Sequence, residues 1–472
     1  MWIFKQIALI AQRSNLHLLY LCYALPIGIF LIVATPPFQT PDAVNHFYRA
    51  TQIADGNFVA QRFDGTSGGP IDKGVITLAD IFDPIAHYPE VKVSASMLAA
   101  AHAPYWTGET TLAGFPGAAV YPMFSYLPQA AAITVGRTFR MNIRQTYVLT
   151  CAVGMLFSIA LTCWAIAISR RTAPFIFCTA MLPCTLMIFT SVSQEVSVLP
   201  LCFLLIAFLA RHLDEGRVLT ARDGWLACIA LWVCIASRPP YVGFLVLLFC
   251  PGLRVSADSE RYGWLRRIGW CLAAGVPAAI AAWIFGHAAW APVPPPRSVA
   301  GQLAFLLHDP VNVLRVAVAT LRTNSTFYYQ SFIGNLGWLD TPLDIKYYRL
   351  AAVMLACNVA ATMLYAGSSI RGRFADRAIT LASIGLCLGM IFASLYLTWT
   401  PVAQLVIDGV QGRYLLPLLP PLALVLTSSN RSVTNSSLIP LGEKVALLGA
   451  ALFPVCTFIE VIHILIARYY VH

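Results

Sequence analysis

Asp42, Asn45, His46 and Arg49 stand at i, i+3, i+4 and i+7, so a helix through them puts a carboxylate, an amide, an imidazole and a guanidinium on one face. Thr40, Pro41 and Asp42 read as the start of that helix: Thr40 as N-cap, Pro41 at the first helical position, Asp42 in the first turn. A carboxylate there is stabilised in its ionised form. It can accept a proton from an acceptor hydroxyl or ligate a divalent cation, Mg or Mn. His46, one turn on, could orient Asp42, take a proton or contact a phosphate. Arg49 could bind an anionic lipid phosphate or extend toward lipid headgroups. The plainer alternative is an interfacial helix with its polar side wet.

Four further motifs carry chemistry. Glu195, in Ser193-Gln194-Glu195, is a second carboxylate at a helix end, where an unpaired charge is costly. Arg238 precedes Pro239-Pro240-Tyr241, a helix break at which freed carbonyls and a guanidinium could line a cavity. Trp338, in Gly337-Trp338-Leu339-Asp340, could stack on a sugar ring or sit in the interfacial aromatic belt. Arg413, in Gln411-Gly412-Arg413-Tyr414, is placed to hold a phosphate bidentately. The candidate catalytic residues are Asp42, His46 and Glu195. The candidate substrate-binding residues are Arg49, Arg238, Tyr241, Trp338, Asp340, Gln411, Arg413 and Tyr414. No residue is assigned to a metal, and no CxxC, HExxH or Walker-type loop occurs.

The elements that must position these groups follow from composition. The chain has 472 residues, 58% hydrophobic and 11% charged, with a mean hydropathy of +0.70. This is the composition of an all-α polytopic membrane protein. The net charge of +10 is not a nucleic-acid signal, because Lys and Arg fall in short clusters between apolar runs. All 13 cysteines lie in those runs and read as small buried apolar residues. Lys5 and Arg13 precede a run that is long for a signal-peptide core, and Ala34-Thr35-Pro36-Pro37 is a poor cleavage site. The run is therefore read as a retained first helix with a cytoplasmic N-terminus.

Apolar runs of roughly 20 residues predict about eleven spans, at 16–35, 145–168, 173–191, 195–210, 223–237, 240–251, 268–288, 349–367, 377–397, 413–428 and 444–466. The run from Tyr121 to Val135 is short and carries two prolines. If it crossed, the clusters Arg170-Arg171 and Arg211 to Arg217 would face outward, against the positive-inside rule. Laid along the outer surface instead, it leaves Arg170-Arg171, Arg211 to Arg222, Arg254 to Arg267 and Arg371 to Arg377 inside, at the cost of Arg137, Arg140 and Arg144 outside. The chain then forms a single integral membrane domain with periplasmic loops at 36–144, 289–348 and 398–412. The first loop carries juxtamembrane helices and turn chemistry such as Asp64-Gly65. The second opens with Pro292 and Pro294. All five polar motifs fall on one side of the membrane.

Several stretches resemble the bacterial membrane proteins grouped as domain-of-unknown-function family 2142. They are Pro41-Asp42 with His46, Arg49 and Asp55-Gly56; Tyr121-Pro122 to Tyr126-Leu127-Pro128; Arg238-Pro239-Pro240-Tyr241; Gly334 to Asp340; and Gln411 to Pro417. That family in turn resembles the GT-C class of membrane glycosyltransferases. The resemblance implies a bacterial inner-membrane enzyme with a periplasmic site, a polyprenyl-phosphate sugar as donor, and a glycan, lipid or protein as acceptor. It implies Asp42 as the catalytic carboxylate and Glu195 as the second acidic position. The chain departs from the family pattern at Ala43, where a Glu is usual, at Arg238, where a Lys is usual, and at Glu195, where an Asp is usual. The alternatives are a transporter or flippase of lipid-linked sugars, whose broken helices and intramembrane charges would look similar, and a catalytically inactive family member.

Overall fold

The computed structural model describes residues 13–86, 88–255, 260–291, 295–363, 374–426 and 438–471. Lys5, Pro292, Pro294, Arg371 and the ends of the expected spans 349–367 and 413–428 lie outside the described residues.

The first helix, α1 (Leu16–Ala34), contains no Asp, Glu, Lys or Arg and stops where Thr35 turns extended ahead of Pro36. Two tight turns follow, Gln39 N–H to Pro36 O and Ala43 N–H to Thr40 O. They use up the residues expected to open the next helix, so α2 (Ala43–Ala54) begins at Ala43 and not at Thr40–Pro41. Asp42 is the N-cap, in the left-handed region at φ +61°, and its side chain caps nothing. The expected wet face is also overturned. His46 and Arg49 are buried, because the segment around Tyr121 and Tyr126 packs over them.

The rest of the first loop is a small structured layer. Strands β1 (Gln61–Phe63), β2 (Thr66–Asp72) and β3 (Thr110–Gly114) form an antiparallel sheet in that order. Asp64 and Gly65, both at positive φ, make its two-residue hairpin turn. The turn is the one expected from Asp64-Gly65; the strands it joins are not signalled by the sequence. Helices α3 (Lys73–Phe82), α4 (Ala95–Ala100), α5 (Pro116–Ala119) and α6 (Leu127–Thr138) complete the layer. At 12 residues, α6 is about 18 Å long, too short to cross, and it lies against α2 and the next helix.

That next helix is α7 (Ile143–Ile168), started by a reciprocal Asn142–Gln145 capping box. The expected span 173–191 is two short helices, α8 (Ala173–Ala180) and α9 (Pro183–Phe189), broken ahead of Pro183. Then come α10 (Glu195–Glu215), β4 (Val218–Leu219) and α11 (Ala221–Ser237). The run after Arg238 is a 3-10 helix, Pro239–Phe249, followed by β5 (Arg254–Val255), α12 (Glu260–Ala289), α13 (Val299–His308) and α14 (Val311–Ile333). The chain ends with β6 (Asn335–Leu336), β7 (Thr341–Pro342), α15 (Ile345–Met363), α16 (Phe374–Thr398), a second 3-10 helix (Gly412–Leu418), α17 (Leu422–Leu426) and α18 (Leu438–Tyr469).

The chain is thus mostly helical, with strands confined to loops. Among the described residues six helices are long and apolar enough to cross a membrane: α1, α7, α10, most of α12, α16 and the latter part of α18. A seventh is added if α13 and α14, bent by 111°, count as one. One apolar core joins α1, α7, α8, α9 and the loop layer, and another joins α10, α11, the first 3-10 helix, α12 and α16.

The two ends of the bundle differ. At one, Arg171 pairs with Asp214 at 2.8 Å and donates to Leu424 O, while Asp376 accepts from Gly252 N–H. At the other, about 30 Å away along α10, stands Glu195.

Candidate functional site

Each charged group of the cluster is delivered by a chain break. Arg238 ends α11 because Pro239 and Pro240 cannot continue it, and its Nη2 donates to Glu195 Oε1 at 2.5 Å. Arg413 is delivered by the second 3-10 helix. There Gly412 lets two backbones meet: its N–H donates to Ser331 Oγ at 2.8 Å, and a Cβ would stand 2.2 Å from Phe332 N and Tyr328 O. Arg413 Nη1 then lies 3.6 Å from Glu195 Oε2, and its Nη2 lies 3.5 Å from Asp42 Oδ2. The result is a continuous row, Asp42, Arg413, Glu195, Arg238, of alternating charge. Three members are desolvated, with side-chain exposures of 8% for Arg413, 10% for Glu195 and 18% for Arg238, while Asp42 is 44% exposed. Buried charges persist when paired like this, and removing one partner strands the other.

Aromatic and amide groups frame the row. The Arg238 guanidinium lies 4.7 Å from the Tyr414 ring centroid and 5.5 Å from that of Tyr121. Tyr241 OH donates to Tyr414 O at 3.2 Å. His46 Nδ1 is 2.7 Å from Tyr126 OH. Burial drives the imidazole pKa from 6.5 down to about 3, so His46 is neutral at neutral pH. In the amide orientation that satisfies both neighbours, Gln194 donates to the His46 ring at 3.3 Å and accepts from Arg238 Nη2 at 3.0 Å. His46 therefore reaches the row through Gln194. The His46 backbone N–H donates to Asp42 O at 3.0 Å, which keeps the two one turn apart, but among the described residues no side-chain hydrogen bond or ion pair joins them. Gln194 and Tyr126 lie within the sequence motifs but are not among the candidate residues, because only burial beside Arg238 and His46 gives their polar groups partners.

Beside Arg238 opens a cavity of ≈ 350 Å³, walled by Tyr241, Tyr414, Trp290, Ile391 and Leu395. It is mainly apolar and lies between α12 and α16. Near the row, Gln411 Oε1, Ser193 Oγ and Arg413 Nε are buried without hydrogen-bond partners, a concentration of unused polar capacity.

Three candidates stand apart. Arg49 donates to Gln52 Oε1, Phe58 O and Tyr121 O, clamping loop backbone and leaving little for a phosphate. Trp338 Nε1 donates to Phe38 O at 3.0 Å, so the indole edge is engaged by the loop before Asp42. Asp340 pairs with Arg468 at 2.8 Å and accepts from Trp338 N–H and Thr341 Oγ1.

The donor set does not fit a divalent cation. A guanidinium, Arg413, occupies the position between Asp42 and Glu195. No group of three or more His, Cys, Asp or Glu suited to a metal occurs among the described residues.

No curated protein and no solved structure matches the chain. The family described as "Predicted membrane protein (DUF2142)" matches residues 25–422. That match covers the second half of the first helix, the loop layer and every member of the charged row, and the chain belongs to this family of membrane proteins.

Proposed function

We propose that the chain is a glycosyltransferase that moves a sugar from a polyprenyl-phosphate donor to a hydroxyl of a glycan, lipid or protein acceptor. The single observation that carries this is the exposed Asp42 carboxylate, held 3.5 Å from a buried arginine at one end of a charged row whose other end borders an apolar cavity. The acceptor oxygen attacks the anomeric carbon, its proton passes to Asp42, and the bond from that carbon to the phosphate oxygen breaks. The lipid phosphate departs on the face opposite the attack, so the configuration inverts. Arg238 borders the cavity and would hold the departing phosphate, with the lipid chain along the groove between α12 and α16. Arg413 holds the Asp42 carboxylate in place. Phosphate is already a fair leaving group, so positioning and charge compensation can supply much of the acceleration.

The same proposal takes a GT-C-like arrangement of eleven passes in a bacterial inner membrane, with the charged row periplasmic. Support comes from chain direction. Between the Arg171 end and the Glu195 end the chain alternates through α8–α9, α10, α11, the first 3-10 helix and α12, and again through α15, α16, the second 3-10 helix with α17, and α18. The end with Arg171, Arg211, Arg217, Arg222, Arg254 and Arg267 would face the cytoplasm. A cysteine at exposed Asn57 should label from the periplasm and one at exposed Arg222 only from the cytoplasm; the reverse pattern would invert the orientation.

The decisive experiment uses proteoliposomes with labelled polyprenyl-phosphate sugars. Replacing Asp42 with Asn should lower transfer by about 10²–10⁴-fold, the usual contribution of a general base. Transfer unchanged in Asp42→Asn removes Asp42 from the chemistry. Movement of the labelled lipid between leaflets without transfer would make the protein a flippase.

A further inference from the structure

Arg140 and Arg144, at the end of the bundle that carries the charged row, have no role in the site described above. Arg137 pairs with Asp55 and lies 4.0 Å over the Trp106 ring. Arg144 Nη1 donates to His102 Nε2 at 2.7 Å, and among the described residues neither Arg144 nor Arg140 has a carboxylate within ion-pair distance. Arg144 borders a second cavity, ≈ 160 Å³, between the end of α1, the start of α7 and the end of α9. Its walls are mainly apolar, with Leu31, Val148 and Met187 among them. One wall is Thr40, 7% exposed, whose Oγ1 has no hydrogen-bond partner. Val33 and Val148, 75% and 40% exposed on α1 and α7, also line it, so the cleft opens toward the surface where two membrane-crossing helices meet lipid.

We propose that this cleft binds an anionic membrane lipid. The first part of its chain lies against Leu31, Val148 and Met187. The Thr40 hydroxyl donates to an ester or phosphate oxygen, and Arg144 holds the phosphate. The hydroxyls of Tyr147, Thr190 and Ser191 in the same walls are already engaged by backbone, so a mainly apolar slot with one unpartnered hydroxyl and a cationic rim matches a phospholipid better than a sugar, which would leave most of its own hydroxyls unpaired. The bound lipid would lie behind the loop that presents Asp42, two residues from it. The site is distinct from the cavity at Arg238 and does not depend on sugar transfer.

The test reads lipid retention, not activity. The full chain is exchanged into nanodiscs of equal phosphatidylcholine and phosphatidylglycerol, extracted, and its retained lipid counted by native mass spectrometry. The wild type should retain phosphatidylglycerol selectively. Arg144→Glu should lower that retention by at least about tenfold, as reversal of a cation at an anionic headgroup predicts. Val148→Trp, which fills the slot with no change of charge, should lower it as well. Arg238→Ala should leave it unchanged. Unaltered retention in both Arg144→Glu and Val148→Trp would overturn the assignment. Displacement of the lipid by glycerol phosphate alone would do so too, because the slot would then have no part in binding.

Discussion

Asp42 holds its place at a backbone cost. A non-glycine residue at φ +61° is strained by about 1 kcal/mol or more, and its carboxylate recovers nothing from capping. What it gains is freedom from the helix face and a position opposite Arg413. His46 is held differently. Its folded pKa, about 3, lies below the ordinary 6.5, so the unfolded chain binds the extra proton across that interval. Stability should therefore be intact above about pH 6.5 and fall as pH drops toward 3, by at most about 1.4 kcal/mol per pH unit. The check is the thermal midpoint against pH for wild type and His46→Gln, whose curve should be flatter in acid. The charged row was legible in the sequence because four ionised groups in an apolar chain must find partners. Arg49 looked equally chemical, yet its partners are the backbone carbonyls of Phe58 and Tyr121, which no side-chain pattern reveals. Trp338 and Asp340 likewise read as sugar-binding residues, and only the folded chain brings Phe38 and Arg468 to them.

The elements that matter most are those that stop. Pro239-Pro240 ends α11 at Arg238, and Gly412 lets the second 3-10 helix touch α14 backbone to backbone. Gly412→Ala would drive a Cβ to 2.2 Å from Phe332 N and Tyr328 O, backbone that cannot rotate away. It should cost about 1–3 kcal/mol of stability, as overpacking does, and should lower transfer beyond what lost protein explains, since Arg413 is the next residue. Thermal unfolding in detergent alongside activity per folded molecule separates the two effects. Long apolar helices such as α1 and α7 were plain from hydropathy. The break at Pro183 and the 3-10 form of Pro239–Phe249 were not, because a continuous apolar run reads the same whether or not prolines interrupt its hydrogen bonds. The sheet was hidden for a related reason. β2 reads Thr-Ser-Gly-Gly-Pro-Ile-Asp, with two glycines, a proline and an aspartate that disfavour strands, and it pairs between β1 and β3.

At the scale of the whole molecule, the loop layer is tied to the last helix. Arg468 on α18 is 4% exposed, pairs with Asp340 and also donates to Ile85 O. Asp340→Asn leaves that guanidinium buried and uncompensated and should cost roughly 3–5 kcal/mol. The loss would show as a lower unfolding midpoint, with residual activity per folded molecule intact because the pair lies outside the charged row. The row itself joins residues 371 apart in sequence. During synthesis the carboxylate at position 42 is made early, and the guanidinium that meets it comes near the end. A ribosome that stalls after α16 leaves an inserted membrane protein with an unanswered acid and no working centre. Two separately expressed halves, divided between α12 and α13, should regain function only together, each holding one end of the same ion pair.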